Sequence, residues 1–206
     1  MLLSVQDLCI TRSSKVLLAN VSFDLASGEA LILKGPNGLG KTTLLRVITG
    51  LQPALSGKII TQEDIFVYAA HADGVKPSLT VTENLQFWAD IFDSKDVSSA
   101  LSAFDLNELK SSFAGLLSAG QKRRVGLARM LISNRLVWVL DEPSVSLDSA
   151  SILQLEAVIK QHLQNGGGAL IVTHADLDLG PRCKTLYLDE YKSKSPVYDH
   201  CAEAFL

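Results

Sequence analysis

The chain has 206 residues, enough for one compact domain or two lobes sharing a core and too short for two large independent domains. With 47% hydrophobic residues it can bury an extensive core, and a formal net charge of -3 excludes the broad basic field that draws a domain onto nucleic acid or anionic lipid. Its three cysteines, Cys9, Cys183 and Cys201, lack the paired spacing of a zinc or redox site and read as buried thiols of a reducing compartment.

The opening residues from Met1 lack the basic flank and apolar run of a secretory leader, and no stretch reaches the ~20 apolar residues of a membrane span, so a cytosolic chain is expected. Leu3, Val5 and Leu8, then Val21, Phe23 and Leu25, alternate as antiparallel strands do and point to the edge of a sheet. Ala30 to Leu33 is a continuous apolar run that stops at Gly35, and Lys41 to Thr49 has helical spacing. Past Gly50, a breaker-rich stretch precedes short strand candidates at Lys58 to Thr61 and Ile65 to Ala69. Val81 to Phe92 and Val97 to Phe104 are helical in spacing, so a small helical lobe is expected over about residues 78–135 of a single domain spanning 1–206. A parallel-sheet pattern then resumes: helix Ala119 to Ser133, strand Val137 to Leu140, helix Ala150 to Leu163, a Gly166-Gly167-Gly168 turn and strand Ala169 to Thr173. Leu186 and Leu188 suggest a last strand, and 191–206 has no clear period.

Gly35-Pro36-Asn37-Gly38-Leu39-Gly40-Lys41-Thr42 fits G-x-x-x-x-G-K-[ST] between the strand and helix that this phosphate loop requires. Glycines let the chain wrap closely, so that backbone N–H groups and the helix N-terminus face an anion. Lys41 would reach the β- and γ-phosphates, and Thr42 would place its hydroxyl on Mg²⁺. A bare glycine-rich turn is the alternative.

Leu136 to Leu140 reads as a strand buried on both faces that delivers Asp141 and Glu142 to its carboxyl end, where parallel sheets bind ligands. Asp141 would hold Mg²⁺, and Glu142 would polarise the attacking water as general base. Two solvated acids at a strand end are the alternative. Pro143 halts strand pairing, Asp148 or Ser149 can cap the next helix, and His174 ends a further strand where an imidazole could contact the γ-phosphate.

Leu117-Ser118-Ala119-Gly120-Gln121, followed by Lys122 to Arg129, closely resembles the signature of ATP-binding cassette (ABC) proteins. In that resemblance Gly35 to Thr43 is similar to Walker A, with Thr43 completing the nucleotide loop. Val137 to Glu142 is similar to Walker B, Ser146 to Asp148 to the D-loop, and His174 to the switch histidine. The resemblance implies a P-loop cassette of the α/β class: a mostly parallel RecA-like sheet, an antiparallel N-terminal β-subdomain and a small α-helical subdomain. It also implies that Ser118, Ala119, Gly120 and Gln121 close over the ATP of a second copy, so that two chains sandwich nucleotide head to tail with an integral membrane subunit as further partner. Lys122, Arg123 and Arg124 read as a solvated helix face, and no nucleic acid is expected.

The small size, the run Leu117 to Arg124, Trp138 to Pro143 and His71-Ala72-Asp73-Gly74-Val75-Lys76 resemble the cytochrome c maturation (haem exporter) ATP-binding subunits. That resemblance implies an ATPase at the cytoplasmic face of a bacterial inner membrane, supporting haem delivery to c-type cytochromes. Two positions depart from the cassette pattern. Ala72 stands where a metal-touching glutamine is usual, with His71 as a partial substitute or a plain surface residue. Ile10-Thr11-Arg12-Ser13-Ser14 has no aromatic to stack the adenine, leaving the guanidinium plane of Arg12 for that contact. Another small-molecule transporter ATPase, a non-transport ATPase of the same fold and a cassette that binds without hydrolysing are the competing readings. Trp88 and Phe92 read as core.

Overall fold

The computed structural model describes residues 1–13, 15–94 and 97–193. Strands β1 (Leu3–Arg12), β2 (Lys15–Leu25) and β4 (Ser56–Thr61) form an antiparallel sheet in the order β2-β1-β4. Strands β3 (Ala30–Lys34), β5 (Phe66–Ala69), β6 (Val137–Asp141), β7 (Gly168–Val172) and β8 (Cys183–Tyr187) form a second sheet, ordered β5-β6-β7-β3-β8 and parallel throughout. The helices are α1 (Lys41–Ile48), α2 (Val81–Ile91), α3 (Val97–Ala103), α4 (Ala119–Ile132) and α5 (Ser149–Gln164).

The first two strands pair antiparallel in a sheet of their own with β4, the N-terminal β-subdomain that the resemblance implied, with β2 at one edge and β1 in the middle. Their apolar alternation also skips a step between Val5 and Leu8. The pairing of β1 with β2 shifts register there, and Asp7 takes φ 47°, the local signature of a bulge that returns Leu8 to the buried face. The last strand begins earlier than Leu186, at Cys183, and Leu188 opens a 3-10 turn, Leu188–Tyr191. The tail from 194 onward and Cys201 lie outside the described residues; Cys9 is buried and Cys183 partly so.

Central strands are apolar at every position because each face of the parallel sheet is covered. Ala30, Ile32, Trp138, Leu140, Ala169 and Ile171 pack with residues of α2, α3, α4 and α5, whereas Leu31, Leu33, Val137, Val139, Leu170 and Val172 pack with α1 and the antiparallel sheet. This burial fixes the register, since a one-residue slip would exchange the two sets. All the carboxyl ends of the parallel strands then emerge on one rim, beside the N-terminus of α1.

Helices α2, α3 and α4 pack on one another, with Trp88 and Phe92 stacked at 5.9 Å against their shared core. Thr80 caps α2 in a reciprocal pair with Glu83, and buried Asn84 ties the preceding loop by accepting from Lys76 N and donating to the carbonyls of Lys76, Leu79 and Thr80. No described helix is long and apolar enough to cross a membrane.

Candidate active site

A cleft of roughly 230 Å³ opens at the carboxyl rim of the parallel sheet, lined by Arg12, Leu17, Asn37, Gly38, Gly40, Lys41, Thr42, Thr43, Asp141, Glu142 and Val172. Strand β3 ends just before the glycine loop, and α1 starts at Lys41, so the helix N-terminus faces the cleft with its unpaired N–H groups. Gly40 takes φ 113°, and a Cβ there would press on Leu17 at 3.2 Å, so both conformation and space demand glycine.

Lys41 is nearly buried, and its ammonium donates to the carbonyls of Gly35 at 2.7 Å and Pro36 at 3.1 Å. An ammonium has three donors, so the loop uses two to hold the side chain along its own length and leaves one for an anion. Leu39 instead turns into the core, which restricts its part in the loop to the backbone.

Asp141 is 3% exposed at the end of β6, and its Oδ2 accepts from the Tyr68 hydroxyl at 3.2 Å. Burial, then the charge of Asp141, pushes the Tyr68 phenol up to about 12, so it stays a donor at neutral pH. A carboxylate and the Thr42 hydroxyl on one cleft wall are an oxygen donor pair suited to Mg²⁺, which binds few protein ligands and keeps water and phosphate oxygens for the rest.

Glu142 follows with φ 51°. Its backbone N–H bonds to Val172 O at 2.8 Å, and its carboxylate accepts from the backbone N–H of His174 at 3.3 Å. The His174 ring Nε2 lies 3.1 Å from Asn37 Oδ1 and 3.4 Å from Glu142 Oε1, so a proton on Nε2 is shared by both. Asn37, His174 and Glu142 thus form a polar line from the glycine loop to the strand end. Thr173 supports it from behind, buried and bonded to Ser144 and Ala175.

Ser118 caps α4: its hydroxyl accepts from Gln121 N at 3.2 Å while Gln121 Oε1 accepts from Ser118 N at 2.8 Å. Ser118 and Ala119 are exposed, Gly120 and Gln121 partly so, and none of the four lines the cleft of its own chain. Gly120 instead lies against the D-loop, where a Cβ would meet Ser146 O at 2.6 Å.

Arg12 does line the cleft, next to Leu17. His71 and Ala72 are exposed and do not line it; the loop they occupy meets the site through Arg123 instead. The expectation that Lys122, Arg123 and Arg124 form a solvated face fails for Arg123, which is 4% exposed, and Arg124 bonds the carbonyls of Phe104 and Asp105. A sequence signal for this exists: from Val125 onward α4 is apolar or small at most positions, so a helix buried nearly all round must pair any arginine it carries. No such signal marks Tyr68, whose bond to Asp141 joins residues 73 positions apart.

A family model described as ABC transporter matches residues 18–145. The chain is 58% identical over 179 residues to the cytochrome c biogenesis ATP-binding export protein CcmA of Roseobacter denitrificans, covering 87% of each chain. It is 50% identical over 199 residues to the protein of the same name from Ruegeria pomeroyi, covering 97% of each. Among solved structures, an ABC transporter ATP-binding protein from Pyrococcus furiosus superposes with a TM-score of 0.82 at 26% identity, over 93% of this chain and 99% of that one. The chain belongs to the ABC transporter family and is one of its ATP-hydrolysing subunits.

Proposed function

We propose that this chain is the peripheral ATPase of a membrane exporter for c-type cytochrome biogenesis, driving haem delivery from the cytoplasmic face of a bacterial inner membrane. The observation that carries the chemical part is the line Asn37, His174, Glu142, whose two ends, Asn37 and Glu142, line the glycine-loop cleft. The assignment to cytochrome c biogenesis rests on the names of the relatives and on the extent of the match.

In this reading the backbone amides of residues 35–43 and the free donor of Lys41 hold the triphosphate of ATP. Mg²⁺, held by Thr42 and Asp141, would supply charge neutralisation at the phosphate oxygens. Glu142 accepts a proton from the attacking water, and His174 fixes the carboxylate while sensing Asn37 on the phosphate loop. The cleft is open where a second chain would add Ser118 to Gln121, an exposed helix start whose N–H groups suit a phosphate oxygen. Two copies packed head to tail complete both sites, and closure is favoured only when ATP bridges them. The whole chain, 1–206, acts as one such unit, with the lobe at about 78–135 presenting the signature.

Glu142→Gln tests this directly. It keeps the cleft, so ATP should bind as in the parent, turnover should fall by about a hundredfold or more, and light scattering with MgATP should report a dimer. Parent-like turnover, or a chain that stays monomeric with nucleotide bound, would refute the shared site.

A further inference from the structure

Arg123 extends from the second turn of α4 into a set of backbone carbonyls. Nη2 donates to Asp141 O at 3.1 Å and Glu142 O at 2.8 Å, and Nε donates to Pro143 O at 3.2 Å. On its other edge Nη1 donates to Ala70 O at 2.9 Å, to His71 O at 3.4 Å and to Asp73 Oδ1 at 2.9 Å. One planar cation therefore joins the signature helix, the strand end bearing Glu142 and the loop 70–73.

A fully buried guanidinium is costly unless every donor is used, and a helix-stabilising residue would need no such set. Three consecutive carbonyls turned toward one charge also account for the backbone at Glu142, whose φ of 51° is uncommon for a side-chain-bearing residue. The loop is seated on the same helix: a Cβ at Gly126 would strike Asp73 O at 2.8 Å. Asp73, with its side chain 25% exposed, is the only partner of Arg123 that carries a charge in this contact set.

We propose that Arg123 is a positioning residue that sets the backbone of Glu142 according to where the loop 70–73 stands, so that loop movement reaches the hydrolytic site through the guanidinium. This rests on the reading of Glu142 as general base. The loop then needs no side chain in the cleft, which fits a chain with Ala72 exposed at the position where other cassettes carry a glutamine. Withdrawal of Asp73 leaves Arg123 with carbonyls alone and frees it to shift along them, carrying the 141–143 turn with it.

The test compares steady-state hydrolysis and ATP binding for the full chain, Arg123→Lys, Asp73→Asn, the double variant and Glu142→Gln. A lysine keeps the charge but cannot span both carbonyl groups. Arg123→Lys should lower kcat by about thirtyfold with KM and ATP binding within about twofold, Asp73→Asn should lower kcat by about three- to tenfold, and the double variant should be no slower than Arg123→Lys. A parent-like kcat in Asp73→Asn, a change confined to KM, or multiplicative losses in the double variant would each overturn the proposal. If Arg123→Lys fails to fold, Asp73→Asn, at a partly exposed side chain, decides alone by the same kcat criterion. Parent-like turnover in Glu142→Gln would instead refute the general base, so the two failures are distinct.

Discussion

The Tyr68 hydroxyl donates to Asp141 Oδ2 across 3.2 Å, joining the end of β5 to the acid at the end of β6. A second arginine of the signature helix supports this pair from behind, as Arg129 Nη2 donates to Tyr68 O at 2.8 Å. Removing the hydroxyl frees the Asp141 carboxylate to rotate in a buried place. In Tyr68→Phe the Mg²⁺ concentration giving half-maximal hydrolysis should rise by about three- to tenfold, with ATP binding in the absence of metal unchanged. A magnesium titration of activity checks it.

Gly120 has no room for a methyl group, because Ser146 O occupies that space at 2.6 Å and Ser146 itself holds φ 68°. Gly120→Ala should push the start of α4 away from the D-loop. We expect ATP binding to the single chain to be retained and hydrolysis to fall about tenfold or more, since in the proposed head-to-tail pair the displaced helix end would serve the partner's nucleotide. Equilibrium binding and phosphate release, measured on the same preparation, separate the two effects.

Arg12 and Leu17 line the cleft away from the phosphate loop and the acids, as Val172 does at the end of β7. A guanidinium plane with an aliphatic neighbour stacks on any base, so Arg12→Ala should weaken ATP and GTP binding alike, by about three- to tenfold. Arg12→Tyr should bind at least as tightly as the parent. Competition between the two nucleotides for a fluorescent analogue reads both outcomes.

His162 stacks on Trp138 with ring centroids 3.9 Å apart and its Nε2 3.2 Å from Leu136 O. Burial holds its pKa below the ordinary histidine value, against hydrogen bonds to Gly168 and Leu136 that act the other way. The unfolded chain therefore binds this proton at a higher pH than the folded one, and stability must fall as pH drops below about 6.5 toward the folded-state value. His162→Phe keeps a stacked ring without the proton. Urea midpoints at pH 7.5 and 5.5 should differ less in the variant than in the parent.

Sequence by itself determined what is local or periodic here: the glycine loop between strand and helix, the acids after an all-apolar strand, the start of α5 capped by Asp148 and the helical spacing of 81–92 and 97–104. Each depends on residues within a few positions of one another, where backbone preference and hydrophobic period act directly. Tertiary structure decided the rest. That β1 takes β4 as its second neighbour, in the order β2-β1-β4, depends on strand partners distant in sequence, which no period encodes. Arg123 and Tyr68 took on their roles only when α4, β5 and β6 were packed together, because a charge or hydroxyl placed in a low-dielectric interior must find its partners there, and those partners are carbonyls that every sequence carries.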